Sequence, residues 1–214
     1  MVVAFDCDTG KWTNVASMDF NSSSRTRAVA AGDKVYVCFA RGLYLNSVER
    51  YDPEDNTWSM MPQMTEKRYN PEIVYLEGKI YVLGRKLPDD ERDTVEVFDI
   101  STQTWNKGIP MLSKRSWFGA TVLNGRIYVA GGRGAGGILK SVECYDPHTN
   151  KWEYVQSMQE PRSDVHLAAT LGKLYAIGGS KTVEAYSPET NTWKYVASMK
   201  SRVSFPAVAF LPKI

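Results

Sequence analysis

Histidine, cysteine, clustered acids and a glycine run are the places where this chain could do chemistry. His148 and His166 are its two imidazoles, and Cys7, Cys38 and Cys144 its three thiols. A catalytic zinc needs three or four such ligands in a tight pattern. Here no His-x-His, His-Glu-x-x-His or Cys-x-x-Cys occurs. His148 falls in the turn Asp146-Pro147-His148, and His166 in the strand-like run Asp164-Val165-His166-Leu167, so the two do not converge on one metal. The run Gly131-Gly132-Arg133-Gly134-Ala135-Gly136-Gly137 has the composition of a phosphate cradle, but no helix follows it to supply the dipole. Asp89-Asp90-Glu91 has the oxygens for Ca²⁺ and reads as a solvated acidic loop tip. The expectation is no enzyme, no cofactor, no metal and no catalytic residue. The cysteines are odd in number and widely spaced, which reads as small buried hydrophobes in a reducing compartment.

What positions these residues is a repeat. Trp12, Trp58, Trp105, Trp152 and Trp193 stand 46, 47, 47 and 41 residues apart, and Met18, Met64, Met111, Met158 and Met199 each follow six residues later. Periods near 40–50 indicate propellers or solenoids. Each unit holds four short runs rich in Val, Ile, Tyr and Trp, with no helical period. In one unit they are Gly119-Ala120-Thr121-Val122-Leu123, Arg126-Ile127-Tyr128-Val129-Ala130-Gly131-Gly132, Val142-Glu143-Cys144-Tyr145-Asp146-Pro147 and the run carrying Trp152. Asn124-Gly125 is a hairpin turn between the first two. Asp146-Pro147 opens the turn between the last two. Four antiparallel strands per repeat make a propeller blade.

Charge and hydropathy narrow the partners. With 26 basic and 24 acidic residues the net charge is +2, giving no field for nucleic acid or an anionic membrane. Hydrophobic residues make up 43%, without an apolar run long enough to span a bilayer. The opening Met1-Val2-Val3-Ala4-Phe5-Asp6 reads as a third strand, not a signal peptide.

Gly-Gly, then Tyr-Asp-Pro, then Asn-Lys-Trp and a trailing Met resemble the Kelch repeat. The likeness covers essentially residues 1–214 as one domain. The Val-Glu-x-Tyr-Asp-Pro wording of Val48–Pro53 and Val142–Pro147 is similar to that of Kelch-like adaptors of cullin-based ubiquitin ligases. The resemblance implies an all-β propeller of about five blades: four complete repeats, and a fifth shared by the two ends. Residues 1–18 give its third and fourth strands, and 203–212 its first. One strand of that blade is missing, so the chain is expected to be a piece of a longer protein. The repeat tryptophans are expected to fill space between sheets.

The resemblance also implies a protein-binding face at one end of the channel. By position its residues are those after the Gly-Gly pair, Arg41, Lys86, Arg133 and Ser180. They are joined by those after the arginine that opens each first strand: Tyr69, Ser116, Ser163 and, less regularly, Val203 or Ser204. Trp117 stands beside Ser116, where the other repeats have Asn70 and Asp164. Three cations in the first set favour an acidic peptide segment of a protein partner. The implied role is substrate recognition in a cytoplasmic ubiquitin-ligase adaptor. Cullin contact would run through a BTB domain, which these 214 residues do not include. An actin-binding or scaffolding protein with cytoskeletal association shares the same repeat wording. A propeller enzyme of the sugar-acid epimerase or oxidase type is the reading from a different class.

Overall fold

The computed structural model describes residues 2–18, 26–39, 45–84, 86–87 and 92–203, with the side chains of 86–87 excepted. All regular structure among them is β. Four four-stranded antiparallel sheets succeed one another along the chain, each in simple sequence order from inner to outer strand. Blade 1 is Thr26–Ala31, Lys34–Phe39, Val48–Asp52 and Thr57–Met60. Blade 2 is Glu72–Leu76, Lys79–Leu83, Val95–Asp99 and Thr104–Lys107. Blade 3 is Gly119–Leu123, Arg126–Ala130, Val142–Asp146 and Lys151–Val155. Blade 4 is His166–Thr170, Lys173–Ile177, Thr182–Ser187 and Thr192–Ser198. The first strands of consecutive blades lie side by side. They enclose a cavity of about 390 Å³ along the propeller's axis.

The repeat runs explain this local structure. Val, Ile and Tyr suit the pleated surface of a sheet, and turn residues end each run. Asn124 and Gly125 both have positive φ, of 50° and 71°, and close Leu123 onto Arg126. The Tyr-Asp-Pro turn is closed by its own tyrosine: Tyr145 donates its hydroxyl hydrogen to Asn150 Oδ1 at 2.7 Å. Tyr51 with Asn56 and Tyr186 with Asn191 repeat the bond.

Apolar clusters lie between successive sheets: Met64, Ile73 and Phe98 with blade 1, Leu83, Phe118 and Ile127 between blades 2 and 3, and Met158, Leu167 and Leu174 between blades 3 and 4. The tryptophans join blade to blade. Each stacks on the cross-strand aromatic of its own sheet, as Trp152 does on Tyr145 at 5.2 Å. Each also donates its indole N–H to a carbonyl in the segment that leaves the preceding Trp strand: Trp58 to Ala16, Trp105 to Pro62, Trp152 to Ile109 and Trp193 to Gln156, at 2.7–2.9 Å.

The hairpin Val2–Asp6 and Lys11–Val15 is the expected third and fourth strands of another blade. Ala16 N–H reaches Asn56 of blade 1 at 2.9 Å. Trp12, with no described blade before it, is 67% exposed. The expected first strand at 203–212 falls, beyond Val203, outside the described residues. One expectation is corrected here. Cys38 and Cys144 are buried, but Cys7 is exposed, because it follows Asp6 in the hairpin turn rather than pointing into a sheet.

Candidate functional site

Strand direction alternates within each blade, so the loops fall at two ends. The tight turns between first and second strands, and between third and fourth, lie at one end. The loop after the second strand and the crossover into the next blade lie at the other. This second end carries the described members of the sequence-predicted set.

A buried arginine holds it together. Arg115 is fully buried and donates from Nη1 to Gly131 O at 2.7 Å and Ser141 O at 3.2 Å, and from Nη2 to Ser141 Oγ and to Glu143. One guanidinium thus ties together the end of the second strand, the start of the third and a carboxylate on the third. Glu143, equally buried, turns back to accept Leu112 N–H at 2.7 Å and Ser113 N–H at 3.0 Å from the crossover. Arg162 repeats this with Gly178, Thr182 and Glu184, and Glu184 accepts the N–H groups of Gln159 and Glu160. Arg68 repeats it with Gly84, Thr94 and Glu96, and Glu96 accepts Thr65 N–H. Burial pulls Arg68 below the usual guanidinium value, opposed by the Glu96 charge. Glu49 is the buried equivalent in blade 1, and its counterpart crossover, 19–25, lies outside the described residues. Val3 takes the glutamate's place in the N-terminal hairpin.

The clamp sets both kinds of rim residue at once, since each arginine is followed by one and grips the glycine end that precedes the other. Ser116 and Arg133 meet across it: Arg133 N–H donates to Ser116 O at 2.7 Å, and Ser116 N–H to Arg133 O at 3.1 Å. In blade 2 the pairing is shifted by one residue: Lys86 lies opposite the clamp arginine Arg68 itself rather than Tyr69. The glycines are needed for contact. A Cβ on Gly131 would stand 2.5 Å from Arg162 O, and one on Gly179 would stand 2.4 Å from Ser163 O.

The predicted residues do not all present themselves equally. Arg133 is exposed and Tyr69 and Trp117 are half-buried. Ser116 and Ser163 are each only 9% exposed. Ser180 donates its hydroxyl hydrogen to Glu160 Oε2 at 2.7 Å, and this bond is the main reason Glu160 lies below the usual carboxylate range. Arg41 lies outside the described residues, as does acidic 89–91; only the backbone of Lys86 is described. The glycine run after Ala130 forms a short ladder pairing Arg133–Gly134 with Gly137–Ile138.

Trp117 has φ of 56°, the left-handed region. Asn70 and Asp164 occupy the same place at 51° and 58°. Short polar residues tolerate this conformation, whereas a bulky aromatic is strained there, at about 1–3 kcal/mol.

Inside the mouth, residues at or next to the start of the innermost strands stand at one level. Arg27, Glu72, Gly119 and His166 each lie four residues before the strand end that pairs with the next strand's first residue. Arg27 Nε donates to Glu72 Oε1 at 3.0 Å. Burial nevertheless pushes Glu72 up to about 7, with Arg27 acting in the opposite sense. A folded-state value above the unfolded one means that the native state holds the extra proton. The contribution of Glu72 to stability is therefore present at low pH and declines as pH rises from about 4.5 to about 7. Glu72→Gln is expected to flatten the denaturation-derived stability profile across that window; an unchanged slope would refute the assignment.

Successive antiparallel four-stranded sheets around an axial cavity, with one clamped loop-bearing end, define a β-propeller built to present loops. The sequence matches the Kelch motif at residues 23–65, 114–159 and 161–200. The chain belongs to the Kelch-repeat family, a protein-interaction domain type. Two F-box/kelch-repeat proteins of Arabidopsis thaliana are similar, at 38% identity over 69 residues and 35% over 82, covering 32% and 36% of this chain. Kelch-like protein 33 of Homo sapiens is 30% identical over 103 residues, 43% of this chain. The matched stretches span 17–19% of the lengths of these relatives.

Proposed function

We propose that this propeller recognises a protein partner through its clamped end, as the substrate-recognition part of a cytoplasmic adaptor for a cullin-based ubiquitin ligase. The carrying observation is the clamp itself. Three successive blades spend a buried arginine and a buried glutamate on fixing the same two rim positions, yet the side chains there differ: Tyr69 and Lys86, Ser116 and Arg133, Ser163 and Ser180. A rigid frame with varied side chains is the arrangement of a recognition surface. Trp117 supports it, because a half-buried aromatic in a strained backbone conformation at the rim suits a binding anchor. The Kelch-like and F-box/kelch relatives favour the adaptor role, which needs a ligase-binding domain elsewhere in the protein. Arg133, with Lys86 and Arg41 at equivalent positions, favours an acidic segment.

Affinity purification with and without proteasome inhibition tests the role. One partner should accumulate with the propeller under inhibition. Arg133→Glu should lower its recovery about tenfold or more, as expected for reversing a charge that meets carboxylates, while the melting temperature stays within about 2 °C, since the side chain is exposed. Undiminished recovery with both Arg133→Glu and Lys86→Glu would place the interface elsewhere.

A further inference from the structure

The channel below the rim is lined by a second set of polar side chains. Three of its four described blades place a charged or titratable side chain at one level, Arg27, Glu72 and His166, around the cavity of about 390 Å³. The fourth contributes Gly119, where a Cβ would stand 2.8 Å from Leu167 N, so the walls of blades 3 and 4 close together there. Thr121 of blade 3 is the next polar wall residue. Arg27 has five donors. Nε is engaged by Glu72, whereas Nη1 and Nη2 make only long contacts among the described residues, 3.5 Å to Thr26 O and 3.4 Å to Asn70 Oδ1. The side chain keeps 27% of its surface open. Arg27 and His166 thus line one cavity large enough for several heavy atoms.

We propose that this level is a carboxylate-binding site, with Arg27 as the residue that grips the two oxygens, His166 as a second wall donor and Glu72 as the group that orients Arg27. A planar carboxylate matches the planar fork of the guanidinium, and inside a channel such a charge-assisted pair is less screened than at the rim. Glu72 competes with the ligand for Arg27, which limits affinity and makes the site selective for a ligand that also fits the channel. The carboxylate has two sources: a small free acid, or an Asp or Glu side chain of a protein segment reaching in from the mouth. The site stands on the channel's own residues and does not require Arg133.

The test is a titration of the isotope-labelled protein with glutarate and, separately, with an acetylated and amidated triglutamate peptide, following the Arg27 Nε–H and His166 ring signals. Saturable shifts at both residues are expected. Saturation by glutarate alone identifies a small acid as the source, and by the peptide alone a protein segment. Glu72→Gln should bind about tenfold more tightly and Arg27→Gln about tenfold or more weakly, the scale of a hydrogen bond to a charged group. The double variant Arg27→Gln/Glu72→Gln removes both charges together; it should keep its melt and lose binding. Saturable shifts of Arg27 and His166 by glutarate without matching shifts of the Arg133 side chain separate this site from the rim. The absence of saturable shifts with both probes, or parental affinity in the double variant, would overturn the proposal.

Discussion

Arg115→Met is expected to cost about 3–5 kcal/mol of stability, the range for removing one partner of a buried ion pair. The guanidinium has no exposed surface, and neither does Glu143. Its loss strands the Glu143 charge and leaves Gly131 O without its arginine donor, while Ser141 O keeps only the Gly131 N–H. Methionine replaces the volume but none of those bonds. Glu143 would still hold Leu112 N–H and Ser113 N–H, so the crossover should stay in place while the rim loosens. Denaturant unfolding gives the energy, and hydrogen exchange gives the location: Ser116 and Arg133 amides, which bond each other across the blade, should lose protection before Leu123 does. A loss under about 1 kcal/mol would mean that the clamp contributes no more than an exposed pair.

Trp152→Ala should cost a comparable amount, about 3–5 kcal/mol for truncating a buried aromatic. The side chain is 8% exposed, stacks on Tyr145 and supplies the indole hydrogen bond to Ile109 O. Removal opens a void between blades 2 and 3 and leaves that carbonyl without the indole. Trp12→Ala provides the contrast. Trp12 stacks on Phe5 at 5.0 Å but is 67% exposed, so little apolar surface is lost from the interior. Thermal and denaturant melts should separate the two variants clearly. Equal losses would contradict the view that the tryptophans act by joining one blade to the one before.

The fold was legible because its markers are local and repeat. Trp152 pairs with Tyr145 on adjacent strands, and Asn124-Gly125 forms its turn wherever the chain places it. The inter-blade role of the tryptophans was legible too, but their carbonyl partners were not, since Ile109 lies 43 residues upstream. The rim positions could be aligned by counting from the arginines. The clamp that holds them was missed, although each Val-Glu-x-Tyr/Phe or Val-Glu-Ala-Tyr run carries a glutamate between apolar neighbours. Nothing local tells that Glu143 meets an arginine 28 residues earlier, or Glu184 one 22 residues earlier. The channel level was invisible for the same reason. Both faces of a first strand are covered, so alternation does not distinguish a wall residue such as His166 from a core residue such as Leu167. Cys7 misled because third-strand composition continues up to Asp6, and the turn begins one residue later.

The most direct test of the clamped end as the partner-binding face is site-specific photo-cross-linking in cells. A photoreactive amino acid is placed at Lys114 or Arg133 at the clamped end, and at Glu54 or His148 in the turns of the opposite end. Adducts to one common protein from both clamped-end positions, and none from the opposite turns, are the predicted result. Adducts from Glu54 and His148 with none from Lys114 and Arg133 would contradict it.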